Sequence, residues 1–399
     1  MVSLVAGQGR GFQRWQVLSA GIAALVLTIG IARFAYTPLL PVMHAEAGLS
    51  AVAGGWLAAA NYAGYLTGAL IAVRTKELAR KFLMYRAALI LGLAGTAGMA
   101  LTQDAWAWAL LRFLAGLGAT GGMLLGSGLV LNWLIREGRR PELGLHFAGL
   151  GLGITVSGLM VAPLAGILAW DEFWLAFGAL ALVLLVPAWG WMPAPAPVDA
   201  PKTFVAPPPP APGWMVLMVL AYFCAGVGYV VSATFTVAIV EAVPVFAGLG
   251  SWVWCLVGLS AVPGGYLIDR LASRFGQIRA LAIAYVGQIV SFLLPVLIGG
   301  AVANVASAAL YGVTFVGIVG LTMTIVGRQF PDNQAKAMAR MTLSYGLAQM
   351  AAPAVAGYMA RATGGYLGAL VMAAVAMAIG IVLLLLAARV TRRAGARPA

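Results

Sequence analysis

Apolar runs of about twenty residues recur along almost the whole chain, and no other feature limits its fold so tightly. They fall at about 16–43, 51–73, 83–102, 105–131, 143–169 and 173–192, then at 214–240, 246–268, 279–299, 301–327, 337–359 and 364–388. At 1.5 Å per residue, roughly 20 residues cross the hydrocarbon core of a bilayer, so each run is long enough to span it. No water is available there to satisfy backbone groups, which makes each run a helix. With 62% hydrophobic and 9% charged residues in a chain of 399, a soluble fold is excluded. Between the sixth and seventh runs lies 193–213, with Pro207, Pro208, Pro209 and Pro210 at its centre. A polyproline stretch cannot continue a membrane helix and reads as a semi-rigid linker. The expectation is an all-α membrane protein of twelve transmembrane helices. It divides into a six-helix bundle over 1–192, a cytoplasmic linker over 193–213 and a second bundle over 214–399.

Loop charges test that count independently. Alternate connections carry Arg10 and Arg14, then Arg74, Lys76, Arg80, Lys81 and Arg86, then Arg136, Arg139 and Arg140, then Lys202. The second half continues with Arg270, Arg274 and Arg279, then Arg328, Lys336 and Arg340, then Arg389, Arg392, Arg393 and Arg397. The other connections hold His44, Glu46, Asp104, Asp171, Glu172 and Glu241, with Arg361 as their arginine. The positive-inside rule makes the basic face cytoplasmic and puts both termini there. The net charge of +13 therefore belongs to membrane topology rather than to nucleic-acid binding.

Several signals carry no chemistry. The first run is too long and too polar at its centre for a signal peptide, although Ala45-Glu46-Ala47 resembles a cleavage site. Cys224 and Cys255 sit in apolar segments without metal-ligand spacing, and His44 and His146 are isolated. No metal and no cofactor are expected. Gly116 to Gly121 fits G-x-G-x-x-G, but it lies inside a helix rather than between strand and helix, so it reads as helix packing. Without H-E-x-x-H, G-x-S-x-G or a Walker sequence, nothing points to an enzyme or an ATP-driven pump.

The two halves echo one another in a common order. Gly68-Ala69-Leu70-Ile71 is matched by Gly265-Tyr266-Leu267-Ile268, and Ala162-Pro163 with Gly166 by Ala352-Pro353 with Gly357. Gly30-Ile31-Ala32-Arg33 lies against Gly226-Val227-Gly228-Tyr229, so Tyr229 takes the place of Arg33. Parallel six-helix repeats around a central cavity describe a class of secondary transporter.

Gly265, Asp269, Arg270, Arg274 and Gly276 follow the loose pattern Gly-x-x-x-Asp-Arg-x-x-x-Arg-x-Gly. Arg112-Phe113-Leu114-Ala115-Gly116-Leu117-Gly118 follows Arg-x-x-x-Gly-x-Gly. In both, the chain resembles the major facilitator superfamily (MFS), over essentially its whole length. Gly30-Ile31-Ala32-Arg33-Phe34 with Pro38-Leu39-Leu40-Pro41 resembles the opening of the bacterial YbfB/YjiJ type. The resemblance implies that the loop with Asp269 helps lock the cytoplasmic side when the cavity opens outward. The first-half copy departs from the pattern, with Ala72 where the aspartate would stand. The glycine-rich stretch 149–166 is loosely similar to the antiporter signature of drug exporters, with Ala162 where a glycine usually precedes the proline.

Setting loop and terminal positions aside, the 24 basic residues leave Arg33 and Arg112 inside spans. A charge at that depth costs about 2.5–3.5 kcal/mol on insertion scales, and such residues face a bundle interior or a water-filled cavity. The family resemblance places the first and fourth helices around the cavity. No carboxylate is at hand to neutralise either guanidinium, and a guanidinium fork suits a carboxylate or phosphate. Arg33 is the primary candidate for anion contact and Arg112 its neighbour. Against this stand a structural or proton-coupling role for Arg112 and satisfaction of Arg33 by carbonyls freed by Pro38. Tyr36, Asn61, Tyr62 and Tyr65 in the first half, and Tyr222, Tyr229, Ser232, Tyr311, Tyr345 and Gln349 in the second, are candidates to complete the cavity. Gly265, Asp269, Arg270 and Arg274 are candidates for gating, and Glu241 for an outer gate or a proton carrier.

The sequence thus leads to a secondary transporter of the bacterial inner membrane, acting as a monomer among lipids. Its expected cargo is a small organic anion of carboxylate type, coupled to protons or to exchange. Proton-coupled efflux of amphipathic drugs and a non-transporting membrane sensor are the alternatives.

Overall fold

The computed structural model describes residues 12–139, 143–197, 210, 212–330 and 334–395. The basic residues Arg10, Arg140, Lys202 and Arg397, and most of the proline-rich stretch, lie outside them. The described chain is almost entirely helical: α1 Arg14–Glu46, α2 Ala51–Arg74, α3 Leu78–Leu101, α4 Ala105–Arg136, α5 Gly144–Val161 and α6 Trp170–Gly190, followed by α7 Trp214–Glu241, α8 Gly250–Phe275, α9 Gln277–Leu297, α10 Gly300–Gln329, α11 Gln334–Thr363 and α12 Leu367–Gly395.

Ten of these are long and apolar enough to cross a membrane by length and composition, fewer than the twelve read from the sequence. The two that fall short, α5 and α11, have different reasons. The apolar run at 143–169 outlasts its helix, which stops at Val161. Pro163 has no N–H to offer the next turn, and Gly166 adopts φ +79°, so the chain leaves in turns instead. In α11 the helix is long, at 30 residues, but Lys336, Arg340, Tyr345, Gln349 and Arg361 dilute its apolar character.

Helices α1 to α6 and α7 to α12 meet along three seams: α2 against α11, α5 against α8, and α1 against α7. Side-chain hydrogen bonds close each seam. Thr37 Oγ1 donates to Ala233 O, Trp254 Nε1 to Ser157 Oγ at 3.0 Å, and Trp56 Nε1 to Tyr358 OH at 3.4 Å. All three lie toward the end where α1, α5, α7 and α11 finish, opposite the basic patches. Helices α3, α6, α9 and α12 stand outside these seams, and Leu83, Val186, Val290 and Val382 on them are exposed, as lipid-facing residues would be.

Glycines set the closest approaches. A methyl group on Gly30 would collide with the backbone of Gly153, which is how α1 and α5 come into contact. In the G-x-G-x-x-G stretch, Gly116 sits on the backbone of Asn61 and Gly118 on that of Gly92, so those glycines serve helix packing.

The described start of the linker packs against the first six helices. Its first residues are docked, not free: Asn132 on α4 donates from Nδ2 to Ala196 O at 2.9 Å and accepts from Ala196 N at 3.3 Å. Arg136 Nη1 donates to Ala194 O at 3.4 Å. A paired side-chain amide on the backbone ties the end of the first six helices to α4.

Candidate functional site

The site is built on an irregularity in α1. Residues Val26–Phe34 form a π-helical segment, wider than an α-helix and shifted in its hydrogen bonding, and Pro38 follows within a turn. A proline at 38 removes the N–H that would have bonded Phe34 O. In this stretch the carbonyls of Ala32 and Arg33 accept from side chains of other helices, and π turns of this kind are frequent at functional sites.

Arg112 on α4 takes up those carbonyls. Its Nη1 donates to Ala32 O at 3.0 Å and its Nη2 to Arg33 O at 3.3 Å. Asn61 on α2 reinforces the junction, donating from Nδ2 to Ala32 O at 3.3 Å and to Arg112 O at 3.0 Å. Tyr36 lies under the Arg112 guanidinium, 4.5 Å from its ring centre, and donates its hydroxyl to Gly54 O at 2.9 Å. Pro38 leaves the Phe34 carbonyl open, and the arginine bonded to main-chain carbonyls in this stretch, those of Ala32 and Arg33, is Arg112 rather than Arg33. That gives Arg112, Asn61 and Tyr36 a bracing role around the π segment.

Arg33 is placed differently. It is only 8% exposed, and its Nε and Nη2 have no hydrogen-bond partner. These two nitrogens form one edge of the guanidinium, the edge that grips a carboxylate with two parallel bonds. Aromatic faces surround it: Tyr62 at 4.2 Å, Tyr65 at 5.1 Å, Phe34 at 5.7 Å and Tyr229 at 5.8 Å from Cζ. Each contact contributes about 0.5–2 kcal/mol toward keeping the cation inside the bundle. The ion pairs among the described residues, Arg80 with Glu77 and Arg136 with Glu137, both lie at the basic end, away from this site.

Helices α7 to α12 contribute an aromatic ladder. Tyr229 stacks with Tyr345 at 5.7 Å, and Tyr345 with Tyr222 at 4.4 Å. Phe315 stands 5.5 Å from Tyr229, and Tyr311 donates its hydroxyl to Tyr229 O at 2.8 Å. Gln349 is buried, with its Oε1 unpartnered. Arg33, Arg112, Tyr36 and Tyr62 share one small cavity with Phe34, Thr37, Ala58, Ala233 and Thr234. Its volume is about 10 Å³, room for a single water and for nothing larger.

Sequence reasoning missed Phe34, Thr37, Thr234 and Phe315. Thr37 was findable, since it stands four residues after Arg33 and one turn further along the same face. Thr234 and Phe315 gave no comparable signal.

The gating candidates lie elsewhere. Asp269 is exposed near the basic end of α8, within electrostatic reach of Arg328 on α10. Arg270 and Arg274 lie over the neighbouring rings of Tyr266 and Phe275, each at 5.5 Å. Gly265 has open space around it, the nearest neighbour of an added methyl being Val316 at 3.9 Å. Glu241 meets no arginine. Its carboxylate accepts from Gly248 N at 2.7 Å and Gly250 N at 2.8 Å, ordering the connection that leads into α8. His146 bonds Ser127 Oγ at 2.8 Å and stands apart from any metal-like cluster. No group of three or more His, Cys, Asp or Glu side chains comes together among the described residues.

Apolar helices meeting in two sets around a buried arginine are the arrangement of a membrane transporter of the major facilitator type. Solved structures share the fold. The nucleoside transporter NupG superposes with a TM-score of 0.70, covering 94% of this chain and 98% of its own at 14% identity. A bacterial homologue of the human lysosomal transporter Spinster, inward-facing and unoccupied, gives 0.67, covering 98% of this chain and 100% of its own at 16% identity. The chain belongs to the family described as the uncharacterised MFS-type transporter YbfB, whose model matches residues 25–385. MFS-type transporters of Yersinia pseudotuberculosis and Yersinia pestis are each 24% identical over 354 residues, covering 82% of this chain and 85% of theirs.

Proposed function

We propose that the protein carries a small organic anion of carboxylate type across the bacterial inner membrane by alternating access. Two six-helix bundles, 1–192 and 214–399, rock about the central site, with twelve spanning helices and both termini in the cytoplasm. The observation that carries this reading is the Nε and Nη2 edge of Arg33, buried and unpartnered. A buried cation with an unused hydrogen-bonding edge is a costly arrangement that an incoming carboxylate relieves. Cargo and site then supply what each lacks, charge neutralisation and desolvated donors.

The seams bonded through Thr37, Ser157 and Trp56 all lie opposite the basic patches. With the basic face in the cytoplasm, this is the conformation closed to the outside. Opening to the outside breaks those bonds and carries Tyr229 away from Arg33. The loop with Asp269 then serves the complementary closure at the cytoplasmic end. The coupling is to protons or to a counter-anion, and the acting unit is the monomer.

The experiment is a thermal-shift series on detergent-purified protein beside Arg33→Ala, pairing mono- and dicarboxylates with cationic dyes. Stabilisation by a carboxylate that disappears in Arg33→Ala supports the proposal and names cargo to test in liposomes. Stabilisation by dyes that survives the substitution replaces it with efflux of amphipathic drugs. The stacked rings of Tyr222, Tyr345 and Tyr229 are the feature that favours this second reading.

A further inference from the structure

Resting on the carboxylate reading, the geometry points to a narrower cargo: a monocarboxylate whose acid group is attached to a planar aromatic ring. Two features on opposite sides of the site carry this. On one side Arg33 offers a single two-toothed carboxylate grip. The other guanidinium in the cavity, Arg112, has both Nη groups committed to the carbonyls of Ala32 and Arg33. Only the Arg112 Nε is left without a partner, so a second carboxylate on the cargo would find one N–H there and no second two-toothed grip.

On the other side the space facing Arg33 is walled by π faces. Tyr229 lies 5.8 Å from the guanidinium carbon, with Tyr345 stacked behind it at 5.7 Å and Tyr222 behind that at 4.4 Å. Tyr62 and Tyr65 belong to α2, whereas Tyr229, Tyr345 and Tyr222 belong to α7 and α11. The Arg33–Tyr229 contact therefore bridges the two sets of helices and parts when they move apart. A carboxylate bound on the Arg33 edge projects its remaining atoms into that opening gap, toward the face of Tyr229. A flat ring replaces the lost contact by stacking, which aromatic pairs favour by about 0.5–1.5 kcal/mol beyond their buried area. A saturated ring of the same size gains only the area.

The test measures binding of benzoate, cyclohexanecarboxylate, benzamide and succinate to the purified full chain by thermal shift across a concentration series. Benzoate is expected to bind about three- to tenfold more tightly than cyclohexanecarboxylate, with no shift from succinate or benzamide. In Tyr229→Leu that preference collapses toward one, because benzoate binding weakens more than cyclohexanecarboxylate binding does. Retained cyclohexanecarboxylate binding also shows that the variant is folded, and Tyr345→Leu is the second variant if Tyr229→Leu does not purify. Equal binding of benzoate and cyclohexanecarboxylate by the natural protein overturns the aromatic inference and leaves the carboxylate reading standing. Succinate binding as tightly as benzoate overturns the restriction to one carboxylate. Benzamide matching benzoate, or no binding by any acid, overturns both readings.

Discussion

The Arg112 guanidinium donates to the main-chain carbonyl of Arg33, so the two buried arginines hold unequal positions. One has spent its fork on the backbone that presents the other. A residue carrying two such bonds from α4 to α1 fixes where the Arg33 side chain starts, and so where its free edge lies.

Substitution at the two positions should separate stability from binding. Arg112→Ala leaves the Arg33 carbonyl without its partner, a loss of about 1–3 kcal/mol for a buried acceptor, and lowers the melting temperature. Arg33→Ala removes a buried charge whose edge is unpartnered, so the melting temperature holds or rises while carboxylate stabilisation disappears. Arg112→Lys cannot form two parallel bonds and should behave like Arg112→Ala. Equal melting losses in Arg33→Ala and Arg112→Ala would contradict this division.

Thr37→Val keeps the shape of the side chain but deletes the bond to Ala233 O. A hydrogen bond of this kind contributes about 0.5–1.5 kcal/mol, so the population open at the non-basic end should rise about two- to tenfold. The readout is the alkylation rate of Ala58→Cys by a membrane-impermeant reagent, in a background with Cys224 and Cys255 replaced by Ala. Ala58 lines the cavity, so its accessibility follows the opening.

Asp269→Asn should move the same readout the other way. It removes the acid of the loop proposed to close the basic end, destabilising the state closed there. Labelling of Ala58→Cys from the non-basic face then falls, with carboxylate affinity unaltered because Asp269 is remote from Arg33. An unchanged labelling rate would remove Asp269 from the gate.

The two parts of the linker should respond differently to deletion. Removing 199–209 is expected to leave membrane insertion and melting temperature unaltered. Asn132→Ala unties Ala196 and should lower the melting temperature by a few degrees, since it breaks a paired set of bonds near the end of the first six helices. Differential scanning fluorimetry of both variants decides it.

How much was legible beforehand depended on the range of the interaction. The helices were readable because hydrophobic length acts locally: a run either reaches across the hydrocarbon or does not. The end of α5 was misread for the same reason, since apolar composition continues through Pro163 and Gly166 although the hydrogen-bonded ladder does not. α11 was read as a span from its apolar run at about 337–359, and its diluted composition is that of a helix along an internal seam. The docked start of the linker was invisible because Asn132 and Ala196 are far apart in sequence and meet only through the fold.

Sequence alone determined that Arg33 and Arg112 lie in apolar spans with no acid close by, because charge and hydropathy are properties of composition. It also picked out the tyrosines of α2 and α7, whose spacing places them on helix faces. Which arginine is committed and which is free was decided by tertiary structure. The carbonyls of Ala32 and Arg33 lie in the π segment, and helices α4 and α2 packed against α1 bring donors to them within 3.3 Å. The aromatic wall has the same origin. Tyr62 and Tyr229 belong to helices from opposite halves of the chain, and they face one guanidinium because the α1–α7 seam closes there.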